Sequence, residues 1–237
     1  MSQSQNKIVV KRVVCLANSR KHSGRCVAGK ELRGNGDSGS WVRPVSDRPS
    51  EEVSEHERQY QDGSDPQILD VIDIPLKHPA PKTYQSENWL LDPDHYWVRV
   101  GHAKWKDLER LADDPELLWL NTSGTYAGLN DRVAESDASE LDSSLYLLHI
   151  ERLKVRVFAP GAAFDNLKRR VQADFKHRGV SYKLWVTDPL VERKYLAKDD
   201  GEYEIGECFL TVSLGEPHKG DCYKLVAAVI TPERAKR

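Results

Sequence analysis

The chain has 237 residues, 39% hydrophobic and 30% charged, which suits one large domain or two small ones with a real core. Six Trp and nine Tyr exclude wholesale disorder, and no apolar run approaches the roughly 20 residues that a membrane-crossing helix needs. The formal net charge of −2 excludes a generic polyanion coat, whose affinity comes chiefly from an excess of Lys and Arg.

Met1 to Asn6 is polar and lacks the apolar centre of a secretory signal. A cytoplasmic address with reduced thiols is therefore expected, and no membrane partner. Ile8 to Leu16 is β-branched and apolar around Lys11-Arg12 and predicts a long first strand. Asn18 to Gly24 is polar and turn-like, and Arg25 to Ala28 predicts a short second strand. Gly34, Gly36 and Gly39 mark a loop. Trp41 to Val45 predicts a strand that Pro44 confines to an edge or an end. Glu51 to Tyr60 has helical spacing and an acidic first turn. Ile68 to Lys77 and Tyr96 to Val100 predict two more strands.

Trp105 to Ala112 predicts a short helix. Asp114-Pro115 then reads as a cap for a second helix over Glu116 to Leu120. Asn121 to Ser144 is rich in Ser, Asp, Gly and Asn and is expected as a linker or long loop. Leu145 to Phe158 is a long apolar strand with a basic insert. Val171 to Phe175 and Val180 to Val186 alternate about His177-Arg178-Gly179, which predicts a hairpin. Phe164, Leu167 and Val171 also fit the start of a helix. Glu207 to Leu214 and Tyr223 to Ile230 complete the strands. The expected fold is mainly β: two OB-like five-stranded barrels in tandem with a few short helices. The expected boundaries are a first barrel over 7–104, a helical connector and loop over 105–144, and a second barrel over 145–237.

Charge is unevenly spread. Between Lys7 and Arg33 eight bases stand against Glu31 alone, and between Glu151 and Lys183 nine bases stand against three acids. Acidic stretches from Asp47 to Asp73 and from Asp107 to Asp142 offset them. The basic segments suit either solvated strand faces or a polyanion site.

Chemistry-bearing motifs are sparse. Cys15, His22, Cys26, Cys208 and Cys222 lack the spacing of a zinc knuckle, and strand cysteines usually fill core space. Asp70 with Asp73, Asp92 to His95, and Thr187-Asp188-Pro189 fit turns or structural pairs as well as acid–base roles. No phosphate-cradling or dinucleotide glycine loop occurs. No cofactor, metal or catalytic residue is expected. The strongest constellation is polar and basic: Asn18, Ser19, Arg20, Lys21 and Arg25 around one loop, with Trp41 and Arg43 from the next strand. Arg and Lys meet phosphates, Asn and Ser bond bases or sugars, and Trp offers a stacking face, although a strand Trp also suits the core. The loop from Asn18 to Arg25 and the strand from Trp41 to Arg43 are expected side by side, as one ligand-facing surface.

Three segments carry a family resemblance: Cys15 to Lys21, Gly24 to Gly29, and Trp41 to Ser46. Trp185 to Pro189, Leu210 to Glu216 and Cys222 to Val226 agree with them. Together they resemble the bacterial dual OB-containing domain family over nearly the whole chain. The resemblance implies two OB barrels and recognition of nucleic acid or nucleotides in bacterial conflict or nucleic-acid-modification systems. It implies no catalytic residues. The expected function is a non-catalytic module for single-stranded nucleic acid or a nucleotide-like ligand. The alternatives are an adaptor for protein partners and, behind it, an enzyme acting on nucleotides or nucleic acid.

Overall fold

A computed structural model describes residues 8–34 and 38–236, with only the backbone of Ser38. The expected loop glycine Gly36 lies outside the described residues. The chain divides into two compact units, Met1–Lys104 and Trp105–Arg237.

The first unit holds β1 (Val9–Lys21), β2 (Gly24–Leu32), β3 (Ser38–Val45), β4 (Asp70–Pro79), β5 (Asn88–Leu91) and β6 (Val98–His102). They form one six-stranded sheet in the order β1-β2-β3-β5-β4-β6, and β1 also pairs with β4. Five strands are thus hydrogen-bonded in a closed cycle, with β6 added on β4. One link, β3 to β5, is parallel. Val13 to Ala17 are buried without a break, because β1 is paired along both edges and lies inside the sheet. A Cβ on Gly29 would stand 1.9 Å from the Val14 carbonyl oxygen, so glycine is what lets β2 close on β1 there. Ile72, Ile74, Leu76, Leu91 and Trp97 fill the core. The segment read as a turn from Asn18 is strand: Asn18 to Lys21 pair with Val27 to Gly24, and only His22 and Ser23 turn. The helix expected over Glu51 to Tyr60 shrinks to α1 (Glu55–Arg58), opened by a capping box between Ser54 and Glu57.

The second unit repeats the connectivity. It contains β7 (Arg132–Ala134), β8 (Leu145–Phe158), β9 (Arg170–His177), β10 (Val180–Val186), β11 (Gly201–His218) and β12 (Asp221–Ile230). The order is β10-β9-β8-β11-β12-β7, and a parallel β10–β12 pairing closes the same five-strand cycle. Each sheet therefore has six strands where five were expected, the additions being β6 and β7. The hairpin β9–β10 turns through Arg178 and Gly179, both at positive φ (46° and 81°), the pattern of a type I′ turn.

Four segments depart from a sequence reading. Glu116 to Leu120 is a bend, because Leu118 and Trp119 are drawn into the core. The Leu118 amide donates to the Tyr182 hydroxyl, and Trp119 Nε1 donates to the Ser143 carbonyl at 2.7 Å. The stretch read as a linker carries β7 and, directly after it, α3 (Glu135–Ala138), while α2 (Leu108–Leu111) falls within the helix expected over Trp105 to Ala112. Thr187-Asp188-Pro189 is a helix start: the Asp188 carboxylate caps α4 (Pro189–Leu196) and also accepts from the Val229 amide at 3.1 Å. The helical reading of Phe164 to Val171 gives way to a one-turn 3-10 helix, Ala162–Phe164.

Candidate functional site

In the first unit the sequence-selected residues separate into two groups. Arg20 and Arg25 are direct cross-strand partners near the tip of the β1–β2 hairpin, Arg20 exposed and Arg25 half-buried. Like charges so placed repel unless an anion or acid lies between them. Lys21 is opposite Gly24. Asn18 Nδ2 donates to the Pro66 carbonyl at 2.8 Å, and Ser19 is buried. Both therefore serve the hairpin's footing.

Trp41 and Arg43 belong to the interior. Trp41 is 9% exposed, with the Lys30 ammonium 5.4 Å from its ring. Arg43 forms an ion pair with Glu87 at 2.8 Å, the side chains 6% and 3% exposed. Its backbone amide also donates to the Glu87 carbonyl at 2.9 Å. Trp41 faces Lys30 of β2, five residues along the strand from Arg25, roughly 16 Å at strand spacing. One continuous ligand surface from Asn18 to Arg43 therefore does not form. Pairing register, which composition does not reveal, sends Arg43 to an acid and Trp41 to the core.

The second unit carries an open cleft of about 550 Å³. Arg156 and Phe158 from the end of β8, Ala159, Pro160, Ala162 and Ala163 from the following loop, Lys183 of β10, and the segment Tyr126 to Leu129 line it. The segment is pinned. Gln172 Nε2 donates to the Ala127 carbonyl at 2.7 Å, and Leu129 and Lys183 exchange backbone bonds. The Asp131 carboxylate takes the Thr125 amide at 2.7 Å and its hydroxyl at 2.6 Å. Tyr126 is 85% exposed and meets the ring of Phe164, itself 74% exposed, edge-on with centroids 6.2 Å apart. In the cleft lining the Arg156 guanidinium lies over Phe158 at 4.2 Å, and outside that lining Arg170 lies over Trp185 at 4.1 Å. The cleft can thus offer cations and π-faces together. Neither Tyr126 nor Phe164 stood out in the sequence. Their signal was a lone aromatic inside a polar stretch, and for Phe164 the bases Lys168, Arg169 and Arg170 just beyond.

Much of the basic excess is locally matched. Lys11 pairs with Glu31 and Arg12 with Asp73, at 2.8 and 2.7 Å. On β8, Lys154 and Arg156 stand opposite Glu204 and Glu202 of β11, and Arg152 reaches Glu204 at 3.3 Å. Among the described residues no three His, Cys, Asp or Glu are grouped to hold a metal. Cys15, Cys208 and Cys222 are buried, and burial pushes the Cys208 thiol up to about 12, far from a reactive thiolate. Asp73 is bound by Arg12 and His95 by Asp92. No helix among the described residues is long and apolar enough to cross a membrane.

Two units with one five-strand connectivity, each closed by a parallel third-to-fifth strand link, define a duplicated β architecture. The family model for the dual OB-containing domain matches residues 11–229, and the chain belongs to that family. No curated protein and no solved structure matches the chain.

Proposed function

We propose that the chain is a binding module for single-stranded nucleic acid or a nucleotide-like ligand, and that the two strand cycles are OB barrels. In such a barrel the second and third strands and the loop after the first strand take the ligand. In the second unit these are β9, β10 and the loop 159–169, the place where the cleft opens. The observation that carries the reading is Tyr126, presented almost fully to solvent beside Phe164 at a cleft lined by Arg156 and Lys183. In the first unit Arg20 and Arg25 supply an accessory phosphate contact, while Trp41 and Arg43 act as structure.

Titration of labelled single-stranded DNA and RNA at low and high salt tests this. Binding should weaken as salt rises, because neutralised phosphates release counterions. Tyr126→Ala should lose on the order of 10-fold in affinity, the scale of one stacked base. Absence of binding at low salt refutes the reading.

A specific observation also favours the adaptor reading for the first unit. Val10, Val98 and Val100 are exposed on β1 and β6 around the Arg12–Asp73 pair, and Trp41 is buried. A protein contact there would be unchanged by Tyr126→Ala, whereas nucleic-acid binding would weaken on the order of 10-fold.

A further inference from the structure

The loop from Ala159 to Arg169 holds apolar side chains outward on a built frame. The Gly161 carbonyl accepts from the amides of Phe164 at 2.8 Å and Asn166 at 3.0 Å. A Cβ on Gly161 would stand 2.8 Å from the Asn166 Cβ, so the two backbones meet through glycine. Asp165 turns the chain at φ 58°, and Asn166 Oδ1 accepts the Lys168 amide at 3.1 Å. The stem is tied by Arg169, which donates to Asp200 at 2.6 Å and to the Leu196 carbonyl at 3.1 Å. On this frame Phe164 and Leu167 stand 74% and 76% exposed. Large apolar side chains fixed in water by an ordered loop mark a contact surface.

Both residues lie outside the lining of the cleft, and Tyr126 bridges the two places: it lines the cleft and touches Phe164. At about 550 Å³ the cleft is itself large enough for a small ligand. A lone nucleotide seated there would leave Phe164 and Leu167 in water. A strand that continues past Tyr126 would stack its next base on Phe164 and Leu167, with Lys168 and Arg170 following on the same stretch of chain. Resting on the nucleic-acid reading above, we infer that the ligand is a single-stranded oligonucleotide of at least two consecutive bases, one in the cleft and the next on the loop ledge, rather than a free mononucleotide.

The test compares thymidine monophosphate, a dithymidylate and a tetrathymidylate on the full chain by calorimetry or fluorescence anisotropy. The dinucleotide should bind on the order of 10-fold tighter than the mononucleotide, the scale of one added stacked base. Phe164→Ala should erase that increment, so that mononucleotide and dinucleotide bind the variant equally, and Leu167→Ala should reduce it. Both side chains are exposed, so the variants keep the fold, checked by unchanged urea midpoints. Equal affinity for mononucleotide and oligonucleotide overturns the two-base site while sparing the nucleotide reading. No binding of any of the three overturns both. Binding to phosphatidylserine vesicles without oligonucleotide binding also overturns both, and assigns the loop to a lipid surface.

Discussion

Lys224 offers the sharpest stability experiment. It lies on β12, fully buried, with its ammonium 5.6 Å from the Tyr182 ring. Nζ donates to the Leu120 carbonyl and to Asn121 Oδ1, both at 2.7 Å, and so fastens the chain leading to Tyr126. Burial, opposed by the charge of Asp131, pulls its pKa from the ordinary 10.5 down to about 7. The unfolded chain keeps the ordinary value. Between about pH 7 and about pH 10.5 the unfolded state therefore binds the proton more strongly, and stability rises with pH. Below that window both states are protonated and the full cost of the buried charge persists. The shift corresponds to a ceiling of about 5 kcal/mol, gained at no more than about 1.4 kcal/mol per pH unit. Lys224→Met keeps the side chain's length, removes the titrating group, and leaves two acceptors unsatisfied at a cost of about 1–3 kcal/mol each. Urea unfolding of both proteins at about pH 7 and about pH 9 isolates this residue's contribution. The parent should gain stability on the variant as pH rises. Parallel dependences on pH would refute the reasoning, because they would mean that Lys224 holds its proton equally in both states.

Two further substitutions test the division of labour in the first unit. Arg43→Met should destabilise by about 3–5 kcal/mol, since the buried Glu87 would lose the cation that compensates its charge, and the loss should be partly recovered in Arg43→Met/Glu87→Leu. Equal destabilisation of single and double variants in urea would show that the pair is not the cause. Arg20→Ala with Arg25→Ala should shift stability by about 0.5 kcal/mol or less and flatten the salt slope of binding by about two units. An unchanged slope would remove both residues from the ligand surface.

Alternation made the strands legible where one face is buried. Val171 to Phe175 and Val180 to Val186 predicted β9 and β10 closely, and Arg178-Gly179 supplied the turn. Strands whose contacts are settled by distant pairing were harder. Asn88 to Leu91 is only four residues between turn-forming stretches, and it becomes β5 because β3 and β4 offer it two edges. The stretch 121–144 reads as linker because its stabilisation is polar: Asp131, Gln172, Tyr182 and Lys224 hold it through hydrogen bonds that leave no hydrophobic period. That explains why Tyr126 escaped notice. A lone aromatic in a polar segment looks like loop filling until the segment is seen to be fastened.

The basic segments show why charge counted along a chain is a weak guide to a binding face. In β structure a residue's nearest neighbours are set by register, so an acid some fifty residues away can neutralise a base at strand spacing. Arg152 meets Glu204 in this way, and Arg12 meets Asp73. What distinguishes the cleft is not the number of bases. Arg156 lies over the ring of Phe158 in a cleft that an exposed Tyr126 also lines, an arrangement that cross-strand neutralisation alone would not require. An exposed ion pair adds little to stability, whereas a guanidinium over an aromatic ring gains a cation–π attraction that grows as the pair is desolvated.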